Sequence, residues 1–365
     1  MKKLIALLLS LALMLGVCVC SFAGEAPYAS VVTASDFQNV GSAAFDRFGT
    51  ILGKMKADGL DKLDSVLTGG DYSLLLFNQA KPEIAKIRGV VLEAFPETDP
   101  NAVVNIQGNH DNPTEEFADT GFYDMGAYCL YAVNEDDFPW KQNSTDGSAV
   151  RTLAADIDSK LGAMIEAEDL RPVIVITHVP LHHTDRTNYG DNMYASYIFN
   201  VLNEKGKKLD IIFLFGHNHS GDYDDYIGGS VNFLAKGEEI RVPMSDKTGK
   251  DCYTNETLNF TYANCGYVGT SMNADNEIST SELTAGLIRF YKDEIKLSKY
   301  STEGVFKTWT VEKINKNLSV KEPSYPSFEC SCSCHSGNNI FWNIYIFFCK
   351  LFGINQYCVC GAKHY

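Results

Sequence analysis

The chain has 365 residues, 45% hydrophobic and 21% charged, with a formal net charge of −15 at pH 7. That is ordinary globular composition, long enough for one large domain or two modest ones around a sizeable core. The acidic excess repels nucleic acid backbones and anionic membranes over long range, so no nucleic acid partner is expected.

Met1-Lys2-Lys3 is a short basic start, Leu4 to Val17 is apolar, and Ser21 and Ala23 are small residues suited to a cleavage site. This layout reads as a signal peptide over 1–23, and sets the expectation of a secreted or cell-surface protein. The apolar run is short for a membrane span. Loss of the leader removes Lys2 and Lys3 and no acid, leaving 29 basic against 46 acidic residues and a formal charge of −17.

The body alternates strand-like and helix-like stretches. Residues 28–36 (YASVVTASD) read as a buried strand ending in an acid, and 40–59 carry apolar residues at helical spacing. A second strand over 63–71 (LDSVLTGGD) also ends in an acid, and 82–95 form a helix. A third strand, 102–111 (AVVNIQGNHD), is followed by a helix over 150–168. The fourth strand is 172–183 (PVIVITHVPLHH), then comes a helix over 192–208, and the fifth strand is 209–219 (LDIIFLFGHNH). Beyond it the pattern turns β-rich, with a hairpin turn expected at Lys292-Asp293-Glu294. This strand–helix order predicts an α/β domain over 24–320. Pro323 and Pro326 mark a linker over 321–329, and residues 330–365 form a separate Cys/His-rich module.

The five strands end at Asp36, Asp71, the run Gly108-Asn109-His110-Asp111, His178, and Gly216-His217-Asn218-His219. In open α/β sheets, sites form beyond the carboxyl ends of strands, so these ends can converge. Carboxylate, amide and imidazole together suit a divalent cation such as manganese, iron or zinc. His217 and His219 are two residues apart, so an extended stretch points both the same way.

The series SDFQ, GGDYS, GNHD, THVPLH, GHNH resembles the calcineurin-like metallophosphoesterase superfamily over about residues 28–300. The superfamily pattern is D-x-H, then GD, then GNH followed by Asp or Glu, then a lone His, then GHxH. The resemblance implies a four-layer α/β/β/α sandwich of two mixed sheets, with two divalent metal ions (Mn, Fe or Zn) between strand ends. It implies that Asp36, Asp71 and His219 hold one ion, and Asp71, Asn109, His178 and His217 the other. A hydroxide bridging the ions would then attack phosphorus in a small phosphorylated substrate. His110 would face that substrate, and Asp111 would orient His110. Gln38 departs from the pattern by standing where a histidine is usual; its carbonyl oxygen can ligate a hard cation, and it is counted among the metal residues. The implied activity is that of an exported metal-dependent phosphoesterase, cleaving a phosphodiester or pyrophosphate bond. The rival reading is an envelope-associated binding module with a degenerate, non-catalytic metal site.

The loop after His178 offers His182 and Arg186 as substrate contacts. The two glycines of ANCGYVGTS (263–271) suggest a loop closing on the rim of the site. Cys252 and Cys265 can pair as a disulfide; the sequence leaves this open. In the last 36 residues, Cys330, Cys332, Cys334, His335, Cys358, Cys360 and His364 can hold a structural zinc or form a disulfide clasp. The apolar stretch Phe341 to Phe352 between them is a candidate for cell-envelope contact.

Overall fold

The computed structural model describes residues 25–38, 43–72, 80–142, 146–182, 192–219, 233–244, 253–269 and 283–326. The expected leader, Arg186, Cys252 and the Cys/His-rich module therefore lie outside the described residues.

Among the described residues, two six-stranded sheets and four α-helices make the fold. The first sheet joins β1 (Ala29–Ala34), β2 (Ser65–Thr68) and β3 (Val103–Asn105) in parallel, with β12 (Ala285–Phe290), β13 (Glu294–Ser301) and β14 (Gly304–Glu312) added antiparallel beside β1, in the order β14-β13-β12-β1-β2-β3. The second sheet contains β4 (Gly121–Asp124), β5 (Cys129–Ala132), β6 (Val173–Ile176), β7 (Ile211–Phe215), β8 (Phe233–Leu234) and β11 (Thr261–Asn264), in the order β4-β5-β6-β7-β11-β8. Its four central strands are parallel and its two edges antiparallel. A separate two-stranded ribbon pairs β9 (Glu239–Pro243) with β10 (Tyr253–Thr257).

The period-two alternation of side chains along each strand divides the core into three layers. In the first sheet, Val32, Val66 and Val103 face α1 (Ala43–Ala57) and α2 (Ala80–Ala94), whose buried stripe includes Phe48, Ile51, Ile84 and Val91. Their neighbours Val31, Leu67 and Val104 face the other way, onto Ile174, Ile176, Ile212 and Leu214 of the second sheet. Val173, Val175, Ile211 and Phe213 then point outward to α3 (Ser148–Glu166) and α4 (Ala195–Lys205). The layers are therefore α/β/β/α, as expected. Burial on both faces explains why VIVI and IIFLF are continuous apolar runs rather than alternating ones.

The hairpin turn expected at 292–294 is present: Phe290 pairs with Ile295, and Tyr291 N–H donates to the Glu294 carbonyl at 2.9 Å. The β4–β5 hairpin was not anticipated from sequence. Residues of the expected linker run along its edge. Lys321 N–H donates to the Gly126 carbonyl at 3.0 Å, Ser324 N–H donates to the Asp124 carbonyl at 2.6 Å, and Tyr325 packs against the inter-sheet core. A sheet edge covered this way is closed to further strand pairing. Cys265 is buried with a free thiol, pushed by burial up to about 12. Among the described residues no helix is long and apolar enough to cross a membrane.

Candidate metal centre

The strands of both sheets stop short of the motif residues, which sit on the turns just beyond. β1, β2 and β3 of the first sheet deliver Asp36, Asp71 and Asn109; β6 and β7 of the second deliver His178, His217 and His219. Two glycines let these turns touch. A Cβ on Gly70 would lie 2.6 Å from the Gly108 backbone, and one on Gly108 would lie 2.3 Å from Asp71 Oδ1. No side chain larger than hydrogen fits at either contact.

The backbone is held in an unusual state here. Asp36 (φ 52°), Gln38 (φ 24°), Asp71 (φ 59°), His217 (φ 66°) and His219 (φ 52°) all have positive φ. Among the described non-glycine residues, Glu168 is the sole other example. Each such residue costs on the order of 1–3 kcal/mol unless its surroundings over-determine it, and such strain gathers at functional sites.

One cluster joins Asp36, Asp71 and His219, whose ligating atoms all lie within 4.8 Å of one another. Asp36 accepts the His217 N–H at 3.0 Å and stands 3.4 Å from His219 Nε2. The His219 ring lies flat on Tyr267, with centroids 4.7 Å apart and planes 9° apart. A second cluster adjoins it: His178 Nε2 and His217 Nδ1 lie 2.9 and 2.8 Å from Asn109 Oδ1, and 3.3 Å from each other. His178 Nδ1–H donates to the Gly69 carbonyl at 2.7 Å, which fixes the tautomer and leaves Nε2 facing the centre. Asp71 stands between the clusters, with Oδ2 at 3.4 Å from His178 Nε2 and Oδ1 accepting the His110 N–H at 2.9 Å.

This donor set fits divalent cations. Asp36 and Asp71 are fully buried carboxylates, and three imidazoles and an amide oxygen converge beside them. Burial alone would raise the Asp71 carboxyl, but His178 and His110 outweigh it and hold it well below the usual range. Burial likewise disfavours charge on His178, and Asp71 and Asp36 outweigh it and raise that ring. The two shifts are the two sides of one attraction, between the buried Asp71 carboxylate and the His178 ring.

Two residues take other roles than the sequence suggested. Asp111 does not orient the His110 ring. It is buried, and its carboxylate accepts three backbone N–H groups, from Asp71 (2.7 Å), Gly108 (2.9 Å) and Tyr72 (3.0 Å). Burial first, then the Asp71 charge, push it up to about 7 against the pull of those bonds. It clamps the GD turn to the GNHD turn. Asp111→Ala would strand three buried donors, each worth about 1–3 kcal/mol. The variant is expected to lose roughly 3 kcal/mol of stability or more, read by denaturant melts; an unchanged midpoint would remove the clamp. His182 is not a substrate contact either. It is buried, with Nδ1 at 2.8 Å from the Tyr262 hydroxyl and Nε2 at 3.4 Å from Asn218 Nδ2. It packs behind the GHNH turn.

His110 is exposed at the rim. Two neighbours carried no motif signal. Trp140 has its ring centroid 5.6 Å from that of His217, and its backbone N–H donates to the Glu135 carboxylate at 3.1 Å. Tyr267 belongs to the loop whose glycines suggested a close approach; a Cβ on Gly269 would lie 2.3 Å from the Asp36 carbonyl.

No protein-family profile and no curated protein matches the chain. Solved structures similar in shape include a dimetal phosphatase from Danio rerio, at 11% identity and TM-score 0.46, covering 79% of this chain and 99% of that one. The anchor in the inner membrane complex of Plasmodium is similar at 11% identity and TM-score 0.43, over 80% of this chain and 89% of that one. The NAD nucleotidase of Haemophilus influenzae is similar at 10% identity and TM-score 0.34, over 82% of this chain and 53% of that one. In layer order and motif order the chain resembles the calcineurin-like metallophosphoesterases.

Proposed function

We propose that the protein is an exported metal-dependent phosphoesterase that hydrolyses a phosphodiester or pyrophosphate bond in a small phosphorylated substrate. The observation that carries this reading is the meeting of Asp36, Asp71, Asn109, His178, His217 and His219, from two sheets, around adjoining clusters. Asp36, Asp71 and His219 would hold one divalent ion, and Asp71, Asn109, His178 and His217 the other. When bound, such a pair activates water and neutralises charge on the phosphoryl oxygens. The chain's own residues do the rest. Asp71, standing between the two clusters, would be a donor common to both. His110, exposed and bonded to Asp71 through its backbone N–H, would steady the developing charge or protonate the leaving oxygen. The leader-like residues 1–23 and the acidic surface support export.

The test uses the mature protein, stripped with chelator and supplied with manganese, iron or zinc, against bis(p-nitrophenyl) phosphate. Hydrolysis restored by an ion is the expected result. Ions bound at two positions with no turnover on this or any ester in a broad panel would overturn the enzyme reading in favour of a binding module.

A further inference from the structure

Of the polar side chains crowding the centre, Gln38 presents a proton to Asp71. It is buried, and its Nε2 lies 2.7 Å from Asp71 Oδ2. Its backbone N–H also donates to the Asp71 carbonyl at 3.0 Å, so two bonds tie it to the same residue. The turn that makes this possible holds Gln38 at φ 24°, a conformation side chains avoid without cause. The amide orientation follows from the contact. An amide oxygen turned toward Asp71 would set two oxygens 2.7 Å apart with their lone pairs opposed, whereas the N–H makes a short bond to a charged acceptor.

We infer that Gln38 is a positioning residue for the shared carboxylate of Asp71 and not a metal ligand, which leaves the Asp36–Asp71–His219 position with three protein donors among the described residues. This rests on the two-ion reading above. The Asp71–Asn109–His178–His217 position has four among the described residues. The three-donor ion is therefore held more weakly and exchanges with ions in solution, so the occupancy of the pair follows the free divalent ion concentration.

Calorimetric titration of the metal-free protein with manganese tests this, with elemental analysis after desalting. Wild type is expected to show two classes of site differing by roughly tenfold or more in Kd, with one ion retained through desalting. Gln38→Met keeps the length but loses the amide. Because Asp71 faces both positions, Gln38→Met is expected to weaken both classes by a similar factor, roughly tenfold. Loss confined to the weaker class would show Gln38 to be its ligand and overturn the inference, as would two equal classes in wild type. Gln38→His supplies a fourth donor and is expected to tighten the weaker class by roughly tenfold; no change there also overturns it, should Gln38→Met not fold. These readouts need no turnover, so a wild type that binds in two unequal classes yet hydrolyses nothing sinks the proposed activity and leaves this inference standing.

Discussion

Asp71→Ala is expected to strip the protein of most of its bound metal and to lower kcat/KM on the order of 10³-fold or more. Asp71 is fully buried between the two clusters, and its two oxygens face different partners: His178 and Gln38 on one side, the His110 N–H on the other. No other described carboxylate lies between them to take its place. Removing it deletes a donor from both positions and leaves His178 without the charge that raises it. Metal assistance is worth several kcal/mol in the transition state, and about 4 kcal/mol corresponds to roughly 10³-fold in rate. Elemental analysis and steady-state kinetics on the same preparation check both parts. A variant that keeps both ions would remove Asp71 from the shared position.

His110→Ala is expected to separate chemistry from metal binding. The His110 ring is at the exposed rim, while its backbone N–H, which alanine retains, makes the bond to Asp71. The substitution therefore leaves the Asp71 carboxylate supported and the ion content close to wild type. Loss of a positioned acid costs typically about 10²–10⁴-fold, so kcat is expected to fall by that order. The loss should shrink for esters with a good leaving group such as p-nitrophenolate, which departs without a proton. An equal loss on good and poor leaving groups would instead assign His110 to charge stabilisation, and an unchanged rate would exclude it from the reaction.

The strand ends were readable because each couples a strong apolar run to a turn and a polar donor; VIVI before His178 and IIFLF before His217 are clear examples. Alternation of strands with helices pointed to an α/β domain, and the four-layer order came from the family resemblance alone. What stayed hidden depends on direction, which one-dimensional spacing does not carry. Asp111 is adjacent to His110 in the chain, yet its carboxylate turns inward to three backbone donors supplied mainly by a turn 40 residues earlier. His182 stands in a polar-looking loop, but Tyr262, 80 residues on, draws its ring into the core. Tyr267 meets the centre through a stacked ring and Trp140 through a tilted one, and no motif records such a partner. The β4–β5 hairpin is made of four-residue strands around Met125-Gly126-Ala127, too short for alternation to stand out. Gln38 was noticed as a departure from a pattern, but the choice between its oxygen and its nitrogen needed the position of Asp71.

The centre straddles the seam between the two sheets, which would give bound ions a mechanical duty. Asp36, Asp71 and Asn109 are carried by one half of the sandwich, His178, His217 and His219 by the other. Cations held by both halves would act as cross-links, since sliding or prying the halves apart would break their coordination bonds. Folding and ion uptake are then a single linked equilibrium, in which an ion at 100 times its Kd adds about 2.7 kcal/mol against unfolding.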